Sequence, residues 1–223
     1  MQKPFCVIDA CSIVVLTHLE ISDIHLGGSR IRNSIMDYFT FFTPDFIINN
    51  EIENAMRKYE VVFENATPVD YLSKINKIEY DAYKCCLDVV NYWIDNKGII
   101  LKKEDEGEKR CLALSLYLSR NKNDNVFLLS DDKRARNKIL DRFINSQKIG
   151  LSLSFPDLLL YMYFRIKFIK KEHILKSLQE YYRVLPARQI LNGRRQEYME
   201  WLRDACRDIG TERNYCNLEC FNN

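Results

Sequence analysis

At 223 residues, 47% hydrophobic and 29% charged, the chain is long and apolar enough for one core of ordinary size, which excludes wholesale disorder. With 7 Gly and 5 Pro, a fold of many tight turns is disfavoured and helices should dominate. The net charge of +2 identifies no polyanionic partner by itself, because a mean conceals where charge is placed.

Met1-Gln2-Lys3-Pro4 runs directly into an apolar segment with no secretory signal, and no apolar stretch reaches the ~20 residues that span a membrane. No membrane partner is expected. Cys6, Cys11, Cys85, Cys86, Cys111, Cys206, Cys216 and Cys220 are accordingly expected as reduced thiols of a cytoplasmic protein rather than a disulfide framework. Cys6, Cys11 and Cys111 lie in apolar runs and read as small core residues.

In chain order, residues 5–9 read as a buried strand ending in a carboxylate, and residues 10–20 continue with helical spacing. Residues 22–30, with Gly27-Gly28, suggest a loop, and residues 31–41 an aromatic helix. Residues 45–49 read as a second strand, with Asn49 or Asn50 capping a helix that begins near Glu51. The periodicity of 69–96 predicts one or two helices stopped at Gly98, before a third strand at 99–101.

A strong helix is predicted over 106–120, a fourth strand over 126–130, a basic helix over 132–145 and a short fifth strand over 149–153. From Phe155 to about Asp208 the pattern is helical, with a break near Pro186 and a polar tail from Gly210. Strands alternating with helices imply βαβ units and a mostly parallel α/β sheet, whose sites gather at the carboxyl ends of strands.

The acids fall at those ends: Asp9 after the first strand, Glu51 after the second, Asp105 and Glu108 after the third, Asp131 and Asp132 after the fourth. Clustered carboxylates repel one another and are expensive to desolvate unless cations lie between them. All-oxygen ligands favour Mg²⁺ or Mn²⁺, and one or two such ions suit phosphodiester hydrolysis: they activate a water and neutralise the leaving oxygen. A plainer reading stands beside this one. Glu51, Asp105, Glu108 and Asp132 each suit the first turn of a helix, where an acid is worth about 0.3–1 kcal/mol against the helix dipole.

Four segments together resemble the motifs of PIN-domain nucleases: Val7-Ile8-Asp9-Ala10-Cys11-Ser12, Ile48-Asn49-Asn50-Glu51-Ile52, Asp105-Glu106-Gly107-Glu108 before Ala113-Leu114, and Leu128-Leu129-Ser130-Asp131-Asp132-Lys133-Arg134-Ala135-Arg136. The resemblance covers residues 4–160 and implies a three-layer α/β/α sandwich with a parallel sheet of four or five strands. It implies Mg²⁺- or Mn²⁺-dependent cleavage of nucleic acid, RNA more than DNA. By position it makes Asp9, Glu51, Glu108 and Asp132 the core ligands, Asp105 and Asp131 further ligands or neighbouring acids, and Ser12 and Ser130 hydrogen-bond partners of the carboxylates. Cys11 departs from the small or hydroxyl residue usual there. The domains expected are therefore 1–160, nuclease-like, and 161–223, a helical extension with a polar tail on which the resemblance is silent.

Lys133, Arg134, Arg136 and Lys138 follow the fourth motif and suit phosphate contacts, or simply a solvated face. Residues 160–186 carry six cations against two acids, interleaved with Tyr161, Tyr163, Phe164, Phe168, Tyr181 and Tyr182, which suit base stacking or, more commonly, a helix's core face. Residues 187–223 balance six arginines with six acids, the pattern of a salt-bridged or protein-contacting surface. Cys206, Cys216 and Cys220 lack a fourth zinc ligand nearby in sequence, with His18, His25 and His173 remote. The first expectation is an endoribonuclease, as a toxin held by a partner protein, a defence effector or an RNA-processing enzyme. A non-catalytic PIN-like scaffold binding RNA or protein is the alternative. An aspartyl-nucleophile phosphatase is a third, weakened by Cys11 where a second aspartate belongs.

Overall fold

The computed structural model describes residues 3–16, 35–58, 72–102, 105–122, 125–163 and 177. Five strands form one all-parallel sheet: β1 (Phe5–Ile8), β2 (Thr40–Pro44), β3 (Asn76–Ile78), β4 (Val126–Leu129) and β5 (Gly150–Leu153), in spatial order β3-β2-β1-β4-β5. The helical segments are α1 (10–16), α2 (35–38), α3 (45–58), α4 (Tyr80–Asn96), α5 (Glu106–Lys122), α6 (133–147) and α7 (Phe155–Tyr161). The chain is thus an α/β protein.

Every residue of β1 and β4 is buried, as unbroken apolar runs in a parallel sheet require when both faces are covered. Phe39, Phe41, Tyr83, Leu112, Leu114, Phe143 and Phe155 supply the bulk of the core around them. Cys6 and Cys111 are buried within it, Cys11 is half-buried at its margin, and all five described cysteines are thiols. No described helix is long and apolar enough to cross a membrane.

Two predicted strands are corrected. The second is Thr40–Pro44, within and after the expected 31–41 helix, and residues 45–49 are helical. Pro44 has no N–H to continue a ladder. Asp45 then turns the chain by accepting from the Phe46 N–H at 2.8 Å. The following Ile47–Glu51 is a π-helical turn, so the apolar run Phe46-Ile47-Ile48 belongs to a helix; short apolar runs suit either state.

The third strand is Asn76–Ile78, inside the segment expected to be wholly helical, and residues 99–101 are neither strand nor helix. β3 is a short polar edge strand with two exposed residues, so it carries no apolar signature; Asn76 Nδ2 pins it by donating to the Phe41 carbonyl at 2.9 Å. Ile100 is 86% exposed, hence no sheet residue.

Gly98 does stop the helix as expected: with φ 59° it closes a Schellman motif, its N–H reaching Asp95 O at 3.0 Å and the Ile99 N–H reaching Ile94 O at 3.1 Å. Ser154 and Asp157 form a capping box that opens α7. The extension expected over 161–223, with its aromatic, arginine and cysteine patterns, lies outside the described residues beyond Tyr163 except for Ser177, as does the Gly27-Gly28 loop.

Candidate functional site

Because all five strands are parallel, their carboxyl ends share one edge, and the register of β1 against β4 places Asp9 beside Ser130. The ladder continues one step past both strands: Asp9 N–H donates to Leu129 O at 3.2 Å and Ser130 N–H to Leu153 O at 2.9 Å. Asp9 and Asp131 are thereby held at the top of two buried central strands, 8% and 3% exposed.

Ser12 links these two acids. Its N–H donates to Asp9 Oδ1 at 2.7 Å, capping α1, and its hydroxyl donates to Asp131 Oδ2 at 3.0 Å. Asp131 Oδ1 also accepts from the Phe155 N–H at 3.0 Å, so the acid ties β4 to the start of α7. Burial pushes the Asp9 pKa up to about 6; hydrogen bonds from Ser130 and Ser12 work against that rise, and the Asp131 charge adds to it.

Glu51 reaches the site from α3 rather than from a strand end. Its carboxylate stands against Gly107 at the start of α5 and accepts the Gly107 N–H. Burial, then the Asp9 charge, push its pKa up to about 7. Glu108 lies in the first turn of α5, and burial, then Asp9, Glu51 and Asp132, push its pKa up to about 8 against the pull of its own backbone N–H. Its Oε2 is buried with no hydrogen-bond partner. A protein seldom leaves a buried carboxylate oxygen unpartnered unless something else meets it. Burial, then Asp9, Glu51 and Glu108, push the Cys111 thiol up.

The remaining predicted residues divide. Asp132 caps α6, its Oδ1 accepting from Arg134 N–H at 2.8 Å and Ala135 N–H at 3.0 Å, so the plain capping role is realised there. Asp105 is held away from the cluster's mutual repulsion: Lys138 Nζ donates to its Oδ2 at 2.8 Å and the Lys102 N–H at 2.8 Å. Burial raises its pKa, but those two bonds and the Lys138 charge outweigh it and leave it below the ordinary value. Lys133 opens α6, and Arg134 beside it is exposed. Arg136 is committed to Asp157 of α7 at 3.2 Å.

Sequence reasoning missed Arg110. Its guanidinium lies over the rings of both Phe46, at 4.5 Å, and Tyr80, at 5.0 Å, and its Nε donates to Glu106 at 2.9 Å. It joins α3, α4 and α5 behind Glu51. The i,i+4 spacing of Glu106 and Arg110 was its visible signal; the aromatic partners come from other segments.

A divalent cation fits the chemistry of this oxygen donor set and the orphaned Glu108 Oε2. Among the described residues, though, no three His, Cys, Asp or Glu side chains converge into a group able to hold a metal as they stand. Comparisons with family models, with curated proteins and with solved structures match nothing to this chain.

Proposed function

We propose that this chain is a divalent-cation-dependent nuclease of PIN type, an endoribonuclease that hydrolyses RNA phosphodiesters in a three-layer α/β/α domain. The observation that carries the reading is the trio Asp9, Glu51 and Glu108: burial raises the pKa of buried Asp9 and of the two half-buried glutamates, the Asp9 charge raises both glutamates and the Glu51 charge raises Glu108, whose Oε2 the protein leaves unpartnered. Asp9, Glu51 and Glu108, with Asp131 or Asp132, would hold Mg²⁺ or Mn²⁺. When bound, the ion supplies positive charge that activates water and neutralises the leaving oxygen. The chain's own part is positional. Ser12 and Ser130 fix Asp9, Ser12 and the Phe155 N–H fix Asp131, and Lys133 and Arg134 at the start of α6 suit phosphate contacts. A toxin or defence effector in the cytoplasm, restrained by a protein partner, is the setting that such an activity suits.

Two observations favour the other reading, a non-catalytic scaffold: Asp9 and Asp132 both serve as helix caps, and no three described ligands converge. Labelled single-stranded RNA and DNA, incubated with the purified protein and Mn²⁺, Mg²⁺ or EDTA beside Asp9→Asn, separate the two. Cleavage that needs the cation and Asp9 supports the nuclease. Cleavage that persists in EDTA or in the variant overturns it, and no cleavage of either polymer favours the scaffold.

A further inference from the structure

We infer that Gly107 is a positioning residue: the space left by its missing side chain is the seat in which the Glu51 carboxylate stands. The seat is an inference from geometry alone; only its consequence for cation binding rests on the nuclease reading.

A Cβ placed at position 107 would overlap both carboxylate oxygens and the Cδ of Glu51. The Gly107 backbone is not left-handed, unlike Gly98 and Gly150, so torsion does not demand glycine there; space does. The Gly107 N–H meets the same carboxylate. That N–H belongs to the first turn of α5, where backbone donors have no partner within the helix, so Glu51 satisfies it from another element.

Crowding at 107 would fall on the far end of a flexible side chain and not on backbone. Glu51, rather than α5, would yield. Alanine also favours a helix over glycine by about 1 kcal/mol. Gly107→Ala should therefore move one carboxylate relative to Glu108, the next residue, while leaving the fold intact. Neither helix propensity nor turn formation explains a glycine at this point, one residue before a site acid.

The seat is tested in metal-free protein by amide hydrogen exchange at Gly107. Glu51→Ala should speed that exchange at least about tenfold, and Glu53→Ala, an exposed acid on the same helix, should leave it unchanged. Mn²⁺ titration calorimetry then reads the consequence. Gly107→Ala should melt no lower than wild type yet bind Mn²⁺ at least about tenfold more weakly, the scale on which groups that orient ligands act. Adding Glu51→Asp, one methylene shorter, should recover part of that affinity, which general loosening of the helix would not give. Unchanged exchange at Gly107 in Glu51→Ala overturns the seat, and so does wild-type Mn²⁺ affinity in Gly107→Ala or a double variant no better than the single. If exchange responds as expected while the wild type binds no Mn²⁺, the seat stands and the nuclease reading falls.

Discussion

The Ser12 hydroxyl donates to Asp131 Oδ2 at 3.0 Å across 119 positions of sequence, with both side chains buried. One serine thus serves two acids, since its N–H already holds Asp9. Ser12→Ala keeps the backbone contact and deletes the hydroxyl, leaving a buried carboxylate oxygen short of a donor. The expected loss is about 1–3 kcal/mol of unfolding free energy, read from urea denaturation. A change of only a few tenths would mean that water or another group replaces the hydroxyl without penalty.

The pH dependence of the metal-free protein should run opposite to ordinary acid denaturation. Folding raises Asp9, Glu51 and Glu108 to about 6, 7 and 8, above the usual carboxylate range near 4. Between those limits the folded state binds more protons than the unfolded state, so stability falls as pH rises. The contribution is fully present below the unfolded values and is lost as pH climbs through 6 to 8. Melting in EDTA should therefore be higher at pH 5 than at pH 8, and a melting point that rises across that interval defeats the assignment. Mn²⁺ should reverse the trend, because it binds the ionised acids and stabilises by mass action, by about 2.7 kcal/mol at a hundredfold excess over Kd.

Asp9→Asn should raise stability while removing function. Asparagine retains an oxygen that can accept the Ser12 N–H and cap α1, but it removes one charge from a cluster in which Asp9 raises both Glu51 and Glu108. At pH 8 without metal the variant should melt higher than the parent, and added Mn²⁺ should lift it less. A variant that melts lower, with an unchanged response to Mn²⁺, would place the value of Asp9 in capping alone.

The central strands and the punctuation were legible in sequence. β1 and β4 are unbroken apolar runs, and Gly98 ends α4 where a left-handed residue is needed. β3 was not, because Asn76-Lys77-Ile78 is a polar edge held by backbone pairing and by Asn76, not by an apolar face. β2 was displaced by one element because Pro44 and Asp45 turn the chain into a helix whose first residues are as apolar as a strand. In the site, residue types and order were readable. The division of labour between Asp131 and Asp132 was not, since it depends on Ser12 and Phe155, far away in sequence, meeting one acid while the α6 backbone takes the other. Glu51 was expected at the start of a helix after a strand over 45–49; the helix instead begins at residue 45 and carries Glu51 within it, against Gly107, and only tertiary packing reveals that seat.

Asp105 is the predicted ligand that the structure occupies with protein groups. Lys138 and the Lys102 N–H both bond its Oδ2, and the Lys138–Asp105 pair is mostly shielded, with side chains 25% and 14% exposed. Such a carboxylate already has its cation, and surrendering it to Mn²⁺ would strand Lys138. Asp105→Asn should consequently leave cation-dependent cleavage within a few-fold of the parent, whereas Glu108→Gln, which neutralises the acid with the orphaned oxygen, should abolish it. The cost of Asp105→Asn should appear in stability instead, between the roughly 0–1 kcal/mol of an exposed pair and the roughly 3–5 kcal/mol of a buried one. Parallel cleavage assays and urea melts of the two variants decide it. Loss of cleavage in Asp105→Asn at unchanged Mn²⁺ affinity would assign the acid to substrate rather than scaffold, and loss of both would return it to the ligand set.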